Sequence, residues 1–145
     1  MKNKKIIKGF ICGLLLFLTA CTSVKTVQTD IGYGWNNNSV NVVKFRKNAL
    51  TTFQNYQFTA YYDENSYLIL AKRKVNSSDW EKVKTPYKGN TKDAHNDISI
   101  AIDGDGFLHI SWDHHDTKLR YAKGKSPMSL DLGEEQSMTG KEELK

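Results

Sequence analysis

The chain has 145 residues, of which 39% are hydrophobic and 26% charged, so its composition is that of one modest globular domain and not of a disordered protein. Its formal net charge of +5 is mostly due to four lysines in the first ten residues, because removing residues 1–20, which contain no acid, leaves 17 basic and 16 acidic residues. Bulk charge therefore gives no indication of nucleic-acid binding.

The N-terminus predicts an export signal followed by a lipid anchor. A lysine-rich start is followed by an apolar run from Gly9 to Leu18, which is too short to span a bilayer as a stable helix. Leu18-Thr19-Ala20-Cys21 resembles a bacterial lipobox, which implies that residues 1–20 are removed and that Cys21 is acylated. The protein is then expected to be exported and anchored to the cell envelope, at the outer membrane or the cell surface. The alternative is a non-lipidated signal peptide or a single membrane anchor, with Cys21 incidental.

Residues 21–30 are polar and lack a hydrophobic period, so they are expected to form a tether, with residues 31–145 as the folded part. Cys12 lies in the segment to be removed and Cys21 carries the lipid, so no disulfide is expected. Ile31–Trp35 and Val40–Phe45 predict two short strands on either side of an Asn/Ser turn.

From Gln54 onwards the dominant pattern is a period of two, which is typical of β-strands. The predicted strands are residues 54–63, 67–73 and 80–84 in a first unit, and residues 97–102, 107–112 and 119–123 in a second. Pro86 is expected to close the third strand. From Ala60 to Ala101, at matching places in the two units, is 41 residues, within the range of about 40 to 50 for a propeller blade.

The predicted fold class is therefore all-β, with antiparallel three- to four-stranded units that form propeller blades. A propeller usually has roughly four to eight blades. Two units are consequently interpreted as an N-terminal, incomplete fragment of a larger propeller.

Asp103-Gly104-Asp105-Gly106 lies between two predicted strands of the second unit. An EF-type calcium loop would need an oxygen ligand two positions after Asp105, where Phe107 stands. The pattern favours a hairpin turn with solvated carboxylates.

The four histidines, at positions 95, 109, 114 and 115, cluster around this hairpin. His109 lies in the middle of a strand and is interpreted as a hydrogen-bonded interior residue. His95 precedes the first strand and the His114-His115 pair follows the second, and the open ends of an antiparallel hairpin lie side by side. These three side chains are therefore expected to converge. Their spacing matches no closed zinc pattern, so a structural metal is possible but not indicated, and no metal ligand is assigned.

The segments Asp93-Ala94-His95-Asn96 and Ala101 to His115, together with Thr59 to Asp63, resemble the opening blades of the BNR-repeat propeller family that contains the ulvan lyases. The resemblance implies a seven-bladed propeller that cleaves uronate-containing polysaccharide by β-elimination and requires no cofactor. His95 matches the first active-site histidine of that family, and the second falls on His115, with His114 as the competing alignment. Asn96, Trp112 and Tyr121 are the candidate substrate-binding residues.

The tyrosine and arginine that the family contributes from later blades have no matching position here, so the chain alone is expected to be catalytically incomplete. The alternative function is a non-catalytic carbohydrate-binding or scaffold propeller. A sialidase-like hydrolase is less favoured, because its arginine cluster and Asp-box repeats are not visible in the sequence.

Overall fold

A computed structural model describes residues 26–42 and 50–138 of the chain. Within these ranges the chain forms two sheets of four antiparallel strands and no helix. The first sheet contains β1 (Leu50–Phe53), β2 (Tyr56–Tyr62), β3 (Tyr67–Lys74) and β4 (Glu81–Lys88), and the second contains β5 (Ile98–Ile102), β6 (Leu108–Trp112), β7 (Arg120–Lys123) and β8 (Gln136–Ser137). The predicted all-β class is confirmed, and the two sheets have the form expected of propeller blades. The described ranges contain no helix with the length and hydropathy needed to cross a membrane.

Each sheet is a simple meander in which every strand pairs with the next along the chain. The first strand of the second sheet, β5, lies against β1 and β2, so the two sheets share one core. Alternate residues of the strands face this core, as a period of two requires. The largest fully buried side chains include Phe58, Tyr62, Leu68, Leu70, Ile98, Leu108, Ile110 and Trp112. Burying each apolar side chain of this size contributes about 1.5–3 kcal/mol, and this packing holds the loops of the candidate site in place.

The first strand of the first sheet was not predicted. β1 pairs with β2 from Phe53 opposite Tyr56, and the two-residue connection includes Gln54, whose φ is 50°. The predicted strand 54–63 therefore includes the turn, and the first strand of that sheet begins earlier. Ala60 lies in β2, the second strand of its sheet, whereas Ala101 lies in β5, the first strand of its sheet, so the 41 residues between them do not measure the repeat. The second strands of the two sheets, β2 and β6, begin at Tyr56 and Leu108, which are 52 residues apart.

Pro86 does not end β4, contrary to the prediction. The strand continues to Lys88 through a register shift opposite the segment from Tyr67 to Ile69. β4 is the outer strand of its sheet, and edge strands and bulges are the places where a residue without an N–H is tolerated. The proline therefore lies in an irregular stretch of the edge strand and does not end it.

The turn between β5 and β6 confirms the predicted hairpin. Asp103 and Phe107 close it through a backbone hydrogen bond of 3.0 Å, and Gly106 adopts a φ of 86°, which favours glycine. The carboxylate of Asp103 is not simply solvated, because it accepts hydrogen bonds from the backbone N–H groups of Asp105 and Phe107.

The segment before β1 forms no regular strand over residues 31–42, so the predicted strand at Ile31–Trp35 is wrong. It is nevertheless docked on the first sheet, because the N–H of Trp35 donates to the carbonyl of Tyr62 at 2.8 Å. Thr29, in the predicted tether, accepts hydrogen bonds from Arg73 and Trp80. The segment predicted to be a signal peptide, Cys21 and the Val43–Phe45 part of the second predicted strand lie outside the described residues.

Candidate functional site

Two loops meet at one end of the second sheet. One connects β4 to β5 and carries Asp93 and His95, and the other connects β6 to β7 and carries His114 and His115. The first loop ends where β5 begins and the second starts where β6 ends, so the antiparallel pairing of Ile98 with Trp112 brings the two loops together.

The carboxylate of Asp93 joins His95 and His115. One oxygen, Oδ1, lies 2.7 Å from Nδ1 of His95, and the other, Oδ2, lies 2.6 Å from Nδ1 of His115. The centroids of the two imidazole rings are 4.5 Å apart, with 38° between the ring planes. The predicted convergence of these two histidines is observed, and an aspartate holds them in one cluster.

Electrostatics favour the ionised form of Asp93. The backbone N–H of His95, followed by the side chains of His115 and His95, donates hydrogen bonds that hold the pKa of this carboxyl well below its usual range. The same contact raises the pKa of His115, because the Asp93 carboxylate stabilises the imidazolium. An ionised carboxylate is an acceptor only, so each Nδ1 atom must donate. In a neutral ring, the basic nitrogen is then Nε2.

The cluster is open to solvent while its support is buried. The side chains of His95 and His115 are 60% and 45% exposed, so a ligand can reach both rings. Asn96 beneath them is fully buried and accepts a hydrogen bond from the backbone N–H of His115 at 3.0 Å through Oδ1. Its Nδ2 donates to the carbonyl of Asn90. One buried amide thereby fixes the β6–β7 loop against the β4–β5 loop.

A second buried carboxylate, Asp113, fixes the loops from the other side. It accepts hydrogen bonds from the backbone N–H of Asn90 and from the hydroxyl of Tyr62, whose single proton is shared between Asp113 at 3.2 Å and the carbonyl of Asn96 at 2.8 Å. Burial raises the pKa of Asp113, and these hydrogen bonds oppose that rise. Asp113 therefore anchors the backbone, and its side chain presents almost no surface to a ligand.

His114 does not join the cluster. Asp113 has a φ of 58°, a value uncommon for a residue other than glycine, and this turns the chain sharply at the end of β6. His114 is exposed and donates from Nε2 to the carbonyl of Arg120 at 3.0 Å, whereas His115 faces Asp93. The two adjacent histidines therefore have different environments.

His109 is hydrogen-bonded as predicted, but it is not an interior residue. Its side chain is 30% exposed on the outer face of the second sheet, where Nδ1 pairs with the hydroxyl of Tyr121 and Nε2 with the carboxylate of Asp103. The hydrogen bond from His109 is the main cause of the low pKa of Asp103, about 2. Asp103, His109 and Tyr121 thus link the β5–β6 turn to β7. None of these hydrogen bonds reaches the Asp93 cluster.

The three candidate substrate-binding residues lie in different settings. Asn96 and Trp112 are fully buried, with Trp112 packed 5.2 Å from the ring of Tyr87, so neither side chain presents a surface to a sugar. Tyr121 is half-buried and is held by His109. In this arrangement Asn96 positions His115 and Trp112 fills the core, which corrects the assignment of both as sugar contacts.

Asp93 is the residue that sequence reasoning missed. The sequence did contain a signal for this residue, because an aspartate in a loop commonly accepts a hydrogen bond from the backbone N–H two residues later. This occurs here with His95 at 2.9 Å. A loop of the form Asp-x-His thus places a carboxylate beside the histidine, and that pattern would have identified Asp93.

A family model described as a BNR repeat-containing family member matches residues 56–145, which begin at β2 and include the whole second sheet. Repeats of this kind occur in glycosidase and sialidase-like propellers. No curated protein matches the chain.

Proposed function

Because this chain belongs to the BNR repeat-containing family, we propose that it supplies the N-terminal blades of an exported propeller that cleaves uronate-containing polysaccharide by β-elimination. The observation that carries the proposal is the Asp93 carboxylate between two solvent-accessible imidazoles. Two proton-transfer groups side by side are what this reaction needs, since one group must remove a proton and another must supply one.

The reaction assigns each bond change to a group. A base takes the proton from C5 of the uronate, the electrons of that C–H bond form the C4=C5 double bond, and the bond from C4 to O4 breaks. The departing O4 receives a proton from an acid. His95 and His115 can divide these two transfers, and histidine suits both because its ordinary pKa of about 6.5 lies close to working pH.

Asp93 supports this chemistry as a positioning residue. By accepting from Nδ1 of both rings, it holds each imidazole in the tautomer whose Nε2 exchanges protons with a substrate. Charge that develops beside the uronate carboxylate requires a cation as well. The resemblance to ulvan lyases assigns that cation and a tyrosine to later blades, so the activity is proposed for the full-length gene product.

The proposal predicts an unsaturated product. Full-length protein incubated with uronate polymers, ulvan among them, is expected to release oligosaccharides that absorb in the ultraviolet because of the C4=C5 double bond. A sialidase-like or other glycoside hydrolase would release new reducing ends without this absorbance, and a carbohydrate-binding propeller would bind polymer without cleaving it. Absence of an unsaturated product from every uronate polymer tested would contradict the lyase proposal.

The location forms a separate part of the proposal, namely that Cys21 carries lipid and anchors the propeller to the cell envelope. Cys21→Ser is expected to abolish metabolic labelling of the protein with radioactive palmitate, because no thiol then follows the cleavage site. Cys12→Ser is the matched control, since Cys12 lies in the segment to be removed, and it should label like the parent. Label that persists in Cys21→Ser would contradict lipidation.

A further inference from the structure

We propose that Asp93, His95 and His115 form a binding site for one Zn²⁺ ion, which takes the place of the two hydrogen bonds between Nδ1 and the carboxylate, with each neutral ring then carrying its proton on Nε2. This proposal goes beyond the proposed function, because zinc binding depends on the positions of the three ligand side chains and not on the lyase reaction.

The three donor atoms are already gathered. One ligand atom from each residue lies within 4.8 Å of the other two, and the carboxylate oxygens lie 2.6–2.7 Å from the Nδ1 atoms. Around a tetrahedral zinc with bonds of about 2.0–2.1 Å, neighbouring ligand atoms are about 3.3 Å apart. The two short distances are made to different carboxylate oxygens, so one oxygen and one nitrogen of each ring, now within 4.8 Å of one another, must come to about 3.3 Å apart to admit the ion. Both rings are substantially exposed, so small side-chain rotations are sufficient.

The donor set suits zinc better than calcium or magnesium. Two imidazoles and one carboxylate are the protein ligands of many zinc sites that leave a fourth position for water. Calcium and magnesium prefer oxygen ligands and larger ligand numbers or octahedral geometry. A zinc ion at Asp93 would be electrically favoured as well, since the ionised carboxylate compensates half of its charge. The fourth ligand is expected to be water, because the cluster faces solvent.

The backbone around the site is fixed before any ion binds. The side-chain oxygen of the fully buried Asn96 accepts a hydrogen bond from the backbone N–H of His115. The backbone N–H of Asn96 donates to the backbone carbonyl of Asp93 at 3.2 Å. Asp93 in turn holds the N–H of His95. Each ligand is thus tied to the next through the backbone, and binding requires little ordering of the loops.

Zinc at this site would affect proton transfer. An imidazole bound to metal through Nδ1 keeps its proton on Nε2, so that nitrogen cannot accept another. Zinc is therefore expected to inhibit the proposed lyase. Only this consequence depends on the proposed function, and the binding itself does not.

The test measures binding directly. Zinc sulfate is titrated into the full chain by isothermal titration calorimetry, with the protein in detergent because of its apolar N-terminal run and with Cys12 and Cys21 alkylated so that no thiol competes. One equivalent of Zn²⁺ is expected to bind. His95→Ala and His115→Ala should each weaken that binding by at least about tenfold, while His114→Ala, an exposed histidine outside the cluster, should leave it unchanged.

A spectroscopic measurement on the unaltered chain covers the case in which a variant folds poorly. One equivalent of Co²⁺ should give the intense visible absorption of a tetrahedral site, and Zn²⁺ should remove it. The proposal is overturned if the chain binds neither ion, if the cobalt spectrum is that of an octahedral aquo ion, or if folded His95→Ala and His115→Ala bind zinc as tightly as the parent.

Discussion

His115→Ala is expected to lower kcat/KM of the full-length protein on its uronate polymer by roughly 10²- to 10⁴-fold, the usual contribution of a general acid or base. The physical reason is the loss of one of the two imidazoles that Asp93 holds together. The substitution should leave the fold intact, because the His115 side chain is 45% exposed and the buried contact of this residue is made by its backbone N–H. The measurement is the initial rate of ultraviolet absorbance from the unsaturated product.

His114→Ala is the matched comparison, because the two histidines are adjacent and are alternatives in the resemblance to the lyases. His114 donates to the carbonyl of Arg120 and does not contact Asp93 in the described structure. Its variant is expected to retain most of the activity. If His114→Ala lost more activity than His115→Ala, the assignment of His115 as the second proton-transfer residue would be wrong.

Gly89→Ala is expected to destabilise the protein by about 1–3 kcal/mol, the usual cost of placing extra atoms in a well-packed region. A Cβ atom at this position would lie 2.3 Å from a ring carbon of Tyr62 and 2.5 Å from its hydroxyl oxygen. Tyr62 is fully buried and cannot move aside without disturbing the core. Urea denaturation followed by tryptophan fluorescence would measure the loss of unfolding free energy.

Gly89→Ala should also disturb the loops of the candidate site. The hydroxyl of Tyr62 shares its proton between the carbonyl of Asn96 and Asp113, so displacing the ring loosens both loops of the candidate site. Gly104→Ala is the control, because nothing lies within 4 Å of a Cβ atom there, and its effect should stay within about 0.5 kcal/mol. Equal stability of Gly89→Ala and Gly104→Ala would show that Tyr62 does not pack as described.

The strands that were predicted correctly are those in which apolar residues alternate over several positions. β2, β3, β5 and β6 bury alternate or near-continuous apolar side chains, and a period of two is a property that the sequence carries locally. β1 was missed because Leu50–Phe53 has no such alternation, and its strand conformation depends on hydrogen bonds to β2. Pro86 was misjudged for a similar reason, since its tolerance depends on β4 being the edge of the sheet.

The approach of His95 to the His114-His115 pair could be predicted from the sequence, because these residues flank the two strands of one hairpin and the open ends of a hairpin lie side by side. Which of the two adjacent histidines faces His95 could not, because that depends on the positive φ of Asp113, held by Asn90 and Tyr62 from distant parts of the chain. The burial of Asn96 and Trp112 was likewise decided by packing between the sheets.

The sequence by itself determined the all-β class, the hairpin at Asp103–Gly106 and the grouping of histidines at its open end, because all three follow from local periodicity and turn chemistry. Only the tertiary structure decided that Asp93 lies between His95 and His115 and that His114 turns away. The physical reason is that a side chain's hydrogen-bond partner is set by where the loops meet, and two loops separated by a β-hairpin meet only after their strands have paired.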